Sequence, residues 1–230
     1  MARVPSKVVI YGLSGVGKST LASKFSKPVF FDLENGLRFM PNVTKVRNTT
    51  YLQFVESMTR LSRSEKKFDT IVIDSVDWLM ALLAEDVSGS GGKTFEEGYK
   101  NANKTLGDAN GGYGKGYEAL ANQTRVLLHM LDKVVDKGYT VVLIAHAVKK
   151  DIMDADGISI EQVAPKIDKR NMDLFVEWAD HILYLRDVNG ARTLQLSPDG
   201  VSLAKNRLGL TGSVELDDKF NIEKLLEVKE

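Results

Sequence analysis

One run of residues has the types and spacing to do chemistry: Gly12-Leu13-Ser14-Gly15-Val16-Gly17-Lys18-Ser19, followed by Thr20. It fits G-x-x-x-x-G-K-[ST], a loop whose glycines let successive backbone N–H groups turn toward a phosphate. A helix starting at its end adds the positive end of its dipole. Read this way, Gly12, Ser14, Gly15, Val16, Gly17, Lys18, Ser19 and Thr20 cradle a nucleoside triphosphate. Lys18 reaches the β- and γ-phosphates, and the Ser19 hydroxyl binds Mg²⁺.

The flanking elements have the right form. Lys7-Val8-Val9-Ile10-Tyr11 reads as a buried strand, and residues 19–25 as a helix with Leu21 and Phe25 on one face. Pro28-Val29-Phe30-Phe31-Asp32 is a second strand, ending in a turn that carries Asp32 and Glu34. Residues 50–62 have helical spacing. Phe68-Asp69-Thr70-Ile71-Val72-Ile73-Asp74 is an apolar strand with an acid at its carboxyl end, where ligands of open parallel sheets bind. Asp74 is thus expected to hold Mg²⁺ beside Ser19. In the helix that follows, around residues 76–83, Trp78 is expected in the core.

Residues 88–117 turn polar and rich in glycine, and lysines 93, 100, 104 and 115 interleave with Phe95, Tyr99, Tyr113 and Tyr117. Such rings can stack bases. Acidic neighbours balance the lysines, so a plain surface loop fits the same residues. A helix over 117–137 carries His129, read as structural. Tyr139-Thr140-Val141-Val142-Leu143-Ile144-Ala145 is the most strand-like run. It brings His146 to the same edge as Asp74, where a histidine senses a γ-phosphate or simply satisfies local backbone groups, the first being favoured. Residues 148–170 form a second polar stretch with Lys149, Lys150, Lys166, Lys169 and Arg170. After a helix over 172–179 and a strand over 181–185, a hairpin is predicted from 192–196 and 201–204 about Pro198-Asp199-Gly200. A short helix over 220–228 closes the chain.

Composition narrows the classes. A chain of 230 residues suits one α/β domain, with the polar stretches at about 88–117 and 148–170 as loop insertions. Lys plus Arg and Asp plus Glu balance at 31 each, so no global positive charge marks a nucleic-acid binder. The absence of cysteine rules out disulfides and thiolate-bound zinc. No apolar run has the length of a membrane span or forms a signal-peptide core, which points to a cytoplasmic protein with no membrane partner.

Three classes of phosphate-loop protein remain to be weighed. A GTPase needs an N-K-x-D element, and the sequence has none. A small-molecule kinase needs an arginine-bearing lid; Arg186 and Arg192 are candidates, but the sequence does not place them over the phosphates. The third class orients its attacking water with a carboxylate at the end of the strand after the loop's helix, and Glu34 stands there. It also often takes basic groups from a neighbouring subunit, a role that suits Lys205 and Arg207.

Together, the loop, Glu34, Asp74, His146 and Lys205-Asn206-Arg207-Leu208-Gly209 resemble the RecA core. The last string is similar to the K-N-R-x-G segment of RadA-type proteins and the K-x-R element of DnaB-type helicases. More narrowly, Gly112-Tyr113-Gly114-Lys115-Gly116-Tyr117, Val142-Leu143-Ile144-Ala145-His146-Ala147 and Ala204-Lys205-Asn206-Arg207-Leu208-Gly209-Leu210 resemble the phage-encoded, shortened RecA-like family that includes the Sak-four type single-strand annealing proteins. The resemblance implies a mostly parallel sheet flanked by helices. It also implies an oligomeric ATPase, a ring or filament, that binds single-stranded DNA and works with a single-strand-binding protein in phage recombination, in the cytoplasm of a bacterial host. In RecA-like proteins the DNA-binding loops fall at positions matching 88–117 and 148–170, which makes Lys115, Lys149, Lys150, Lys166, Lys169 and Arg170 the DNA-contact candidates. With Lys7 already in the first strand, there is almost no room for the N-terminal oligomerisation segment of full-length recombinases, so annealing is expected over strand exchange. Two other readings stay open: a nucleotide-dependent switch or scaffold acting on a protein, and a DnaB-like motor core.

Overall fold

The near-continuous apolar runs become strands because both of their faces are covered. The computed structural model describes residues 4–91, 95–153, 157 and 159–228. In chain order the elements are β1 (Lys7–Gly12), α1 (Lys18–Ala22), β2 (Pro28–Asp32), β3 (Thr44–Arg47), α2 (Tyr51–Arg63), β4 (Thr70–Asp74), α3 (Val76–Ser88) and α4 (Phe95–Asn101). Then come α5 (Lys115–Val135), β5 (Thr140–Met153), β6 (Ser159–Pro165), α6 (Lys169–Trp178), β7 (His181–Val188), β8 (Ala191–Gln195), β9 (Lys205–Asn206), β10 (Ser213–Glu215) and α7 (Ile222–Leu225).

Among the described residues the sheet has the order β10-β8-β7-β1-β5-β4-β2-β3, with β6 added on β5 and β9 on β7. From β7 to β3 every neighbouring pair is parallel; the C-terminal strands are antiparallel. This is the mostly parallel α/β architecture expected. Alternate residues face opposite layers, as the period of a strand requires. Val9, Tyr11, Phe31, Ile73 and Leu143 pack under α2, α3, α5 and α6. Val8, Ile10, Phe30, Val72 and Ile144 pack under α1 and α7. No helix among the described residues is long and apolar enough to cross a membrane.

This topology brings the polar strand ends together. Parallel strands finish at one edge, and register aligns Gly12 with His146 and Asp32 with Asp74. Since β5 lies between β1 and β4, His146 stands between the phosphate loop and Asp74.

Several expectations need correction. Within 148–170 the described residues are mostly strand rather than loop. β5 runs on past His146 and pairs antiparallel with β6, from Ala147 opposite Pro165 to Met153 opposite Ser159. Val148, Lys150 and Ile152 are half-buried while Lys149, Asp151 and Met153 are exposed. That alternation specifies a two-stranded ribbon despite the charge. The C-terminal hairpin pairs β7 with β8 through Asn189-Gly190, both at positive φ, a two-residue turn that matches strand twist. Residues 201–203 instead bond to Val163 of β6. Trp78 is 47% exposed rather than core, since Val76, Leu79, Met80 and Leu83 fill the inward face of α3. His129 lies exposed on α5. Within 88–117, α4 and a 3₁₀ turn at 109–111 break up the loop; Lys93 lies outside the described residues.

Candidate nucleotide site

The loop leaves β1 at Gly12, where a Cβ would run into the Leu185 carbonyl of β7, so only glycine fits. Gly15 and Gly17 take left-handed backbone at φ +77 and +100. Lys18 is 7% exposed, and its Nζ donates to the carbonyls of Gly12 and Leu13 at 3.1 and 2.9 Å. Burial lowers its pKa, while Asp74, Glu34 and Asp77 pull it back up.

Ser19 Oγ donates to Asp74 Oδ2 at 2.6 Å. Burial pushes the Asp74 carboxyl up to about 6; Glu34 and Asp32 add to the rise, and the Ser19 hydroxyl and Lys18 oppose it. Three carboxylates therefore crowd one edge of the sheet. Asp32 is buried and accepts N–H bonds from Gly36 and Leu37, which shapes the turn that carries Glu34. Glu34 Oε2 accepts from Ser75 Oγ at 3.2 Å, just after the cis Asp74–Ser75 peptide. Ser14, Gly17, Lys18, Ser19, Thr20, Glu34, Asp74 and His146 line one cleft of about 330 Å³. Among the described residues no cluster of three or more His, Asp or Glu side chains is arranged to hold a metal. The paired oxygens of Ser19 and Asp74 instead suit a hard cation that keeps most of its ligands as water and phosphate oxygens.

His146 lines the cleft and also meets Asp77 in the first turn of α3. Its Nδ1 lies 2.9 Å from Asp77 Oδ2, and its backbone N–H donates to Asp77 Oδ1 at 3.3 Å. The carboxylate can only accept, so Nδ1 carries the proton. Asp77 is not among the residues expected at the site from the motifs. Its signal was an acid three residues beyond Asp74, in the first turn of the following helix.

Lys205 and Arg207 are not at this edge. Lys205 Nζ donates to the Val176 carbonyl at the end of α6 at 2.6 Å. Arg207 pairs with Asp180 at 3.3 Å, and Asp180 also accepts from the N–H of Lys7, the first residue of β1. Both bases thus stand at the amino ends of the parallel strands, away from their own chain's phosphate loop. Of the two arginines considered for a lid, Arg186 lies 3.8 Å from Asp199. The Arg192 guanidinium lies against the loop, 3.2 Å from where a Cβ on Gly17 would stand.

The DNA candidates divide. Lys149 is exposed and paired with Glu161 at 2.7 Å. Lys150 donates to the Ile167 carbonyl at 2.8 Å, and burial lowers its pKa. Lys115, Lys166, Lys169 and Arg170 are exposed, with the Arg170 guanidinium 4.3 Å above the Tyr117 ring. Trp78, Tyr117, Lys150 and Lys166 line a groove of about 620 Å³ that also touches Asp77.

A phosphate loop closing on a Walker-type strand acid, at the carboxyl edge of a mostly parallel sheet, defines a P-loop NTPase domain. The chain belongs to the AAA domain family AAA_24, which it matches over residues 5–208. It is similar to the SPbeta prophage-derived uncharacterized protein YorG of Bacillus subtilis (strain 168), at 27% identity over 184 residues. That match covers 77% of this chain and 50% of YorG, so the chain spans about half the length of this relative.

Proposed function

We infer that this chain hydrolyses ATP with Mg²⁺ and couples the cycle to single-stranded DNA, as a RecA-like annealing protein of phage recombination. The observation that carries the reading is the continuity of β5. One strand presents His146 to the nucleotide cleft, and seven residues later it is still pairing in a lysine-bearing ribbon. The likeness to a prophage-derived protein supports the phage setting.

At the cleft, loop amides and Lys18 bind the phosphates. Ser19 and Asp74 would hold Mg²⁺, which would supply positive charge against the phosphates. Glu34 orients the attacking water and accepts its proton, with the Ser75 hydroxyl fixing the carboxylate. His146 reports occupancy to α3 through Asp77. Lys205 and Arg207, remote from their own loop, would serve a neighbouring copy in a ring or filament. On the DNA side, Trp78 and Tyr117 offer faces for bases, with Lys115, Lys166, Lys169 and Arg170 for phosphates. A single-strand-binding protein is the expected partner on that DNA.

A second reading draws on Lys149 and Lys150. Both are already satisfied within the chain, and such a balanced ribbon also suits a protein partner of a nucleotide-dependent switch. Steady-state ATP hydrolysis with and without single-stranded DNA, with Lys18→Ala as the blank, separates the two. Stimulation that fades as salt rises supports the DNA reading. Turnover indifferent to DNA moves the assignment to the switch.

A further inference from the structure

Among the described residues, the carboxylates that line the phosphate-loop cleft, Glu34 and Asp74, stand on one side of it. Asp74 and Glu34 follow strands on the β5–β4–β2 side of β1, whereas β7 and β8 stand on the other side. Arg192 comes from β8. Its cross-strand partner is Asp187, the residue with which it would be expected to pair. The Asp187 carboxylate instead accepts the Gly190 N–H at 2.8 Å, closing the hairpin turn. Among the described residues no carboxylate lies within ion-pairing distance of Arg192. The guanidinium lies on the loop at Gly17, whose missing side chain leaves it room.

A triphosphate crossing the loop with its γ end toward Ser19, Asp74 and Glu34 has its α end toward β7 and β8. We propose that Arg192 is a phosphate ligand of the nucleotide, gripping the α- and β-phosphates from the side opposite the Ser19–Asp74 pair. This rests on the nucleotide reading and adds to it a cation from the same chain. A planar guanidinium offers two parallel N–H donors to phosphate oxygens, a geometry an ammonium lacks. Because the contact is far from the γ-phosphate, it acts on ground state and transition state alike.

The test is calorimetric titration of the full chain with ADP and with inorganic tripolyphosphate, for the wild type, Arg192→Ala, Arg192→Lys and Lys18→Ala. Arg192→Ala should weaken both ligands by about 10- to 100-fold, as loss of a charge-assisted contact does. Arg192→Lys should recover only part of that. In turnover, KM should rise while kcat stays within about threefold, the mark of uniform binding. Matching thermal melts of wild type and variants would show that the fold is intact, as expected for an exposed side chain. Unchanged affinity in a folded Arg192→Ala, with Lys18→Ala defective, overturns the proposal. So does weakened ADP with unchanged tripolyphosphate, which would assign Arg192 to the base. A folded wild type that binds neither ligand overturns the nucleotide reading and this proposal with it.

Discussion

Asp74 is held in a charge state that its surroundings oppose, and the fold should gain when that charge is removed. The carboxyl titrates near 6 rather than at its ordinary 3.8, chiefly from burial and then from Glu34 and Asp32. A rise of about two units corresponds to about 3 kcal/mol of stability lost once the group is fully ionised. Between pH 3.8 and 6 the native state binds more protons than the unfolded chain, so stability falls as pH rises through that window and is level above it. Asp74→Asn keeps an oxygen to accept from Ser19 but carries no charge. Its new amide N–H₂, buried at an acidic edge, sets a cost of about 1 kcal/mol against the gain. The variant should therefore be about 2 kcal/mol more stable than wild type at pH 8 in metal-free buffer with a chelator. For a chain of this length that is about 4–8 °C in Tm. Near pH 4.5 most of the gain should vanish, because the wild-type acid is then largely protonated. Urea unfolding at pH 4.5, 6 and 8 reads it directly. An Asn variant that is less stable at pH 8, or a gain that does not change with pH, would refute the reasoning.

Glu34→Gln should keep nucleotide affinity and lower turnover by about 100-fold or more, measured by titration and phosphate release; ordinary turnover would remove Glu34 from the water's path. Mg²⁺-dependent nucleotide binding should weaken as pH falls below about 6, where Asp74 takes up a proton, and binding that is flat from pH 5 to 8 would argue against Asp74 as the metal's ligand. Trp78→Ala should cost under about 1 kcal/mol of stability, given the ring's exposure, yet weaken single-strand binding by about 1–3 kcal/mol of stacking. Gly116→Ala should destabilise the chain, since a Cβ there would strike the Leu106 carbonyl and the Ala109 side chain, and a wild-type melting curve would show that the loop yields instead.

The sequence made the core strands legible for a physical reason: strands buried on both faces leave uninterrupted apolar runs, and their carboxyl ends locate the site. Glu34, Asp74 and His146 are recognisable by that rule, and Ser19 by the loop motif. What stayed hidden depended on partners far away in the chain. The ribbon of β5 and β6 is amphipathic by alternation, but charge on its solvent side masks the pattern. Asn189-Gly190 was a local hairpin signal, overshadowed by Pro198-Asp199-Gly200, whose chain goes to β6 instead. The meeting of Arg192 with Gly17 depends on β8 folding back beside β7, the neighbour of β1, and neither segment carries a trace of the other. Trp78 looks like core from its apolar neighbours in the chain, and its exposure follows from where α5 and the ribbon leave a gap.

The length of β5 has a further consequence, in the time domain of hydrogen exchange. In its first half, Val141–Ile144 are flanked on both sides by β1 and β4, so those amides should exchange only when the whole molecule opens. Beyond His146 the strand is held by β6. Those amides should exchange through a local opening whose free energy is set by whatever grips the strand's inner end. Protection along Val148–Met153 then becomes a label-free gauge of events at the cleft, read from a part of the strand that touches no nucleotide.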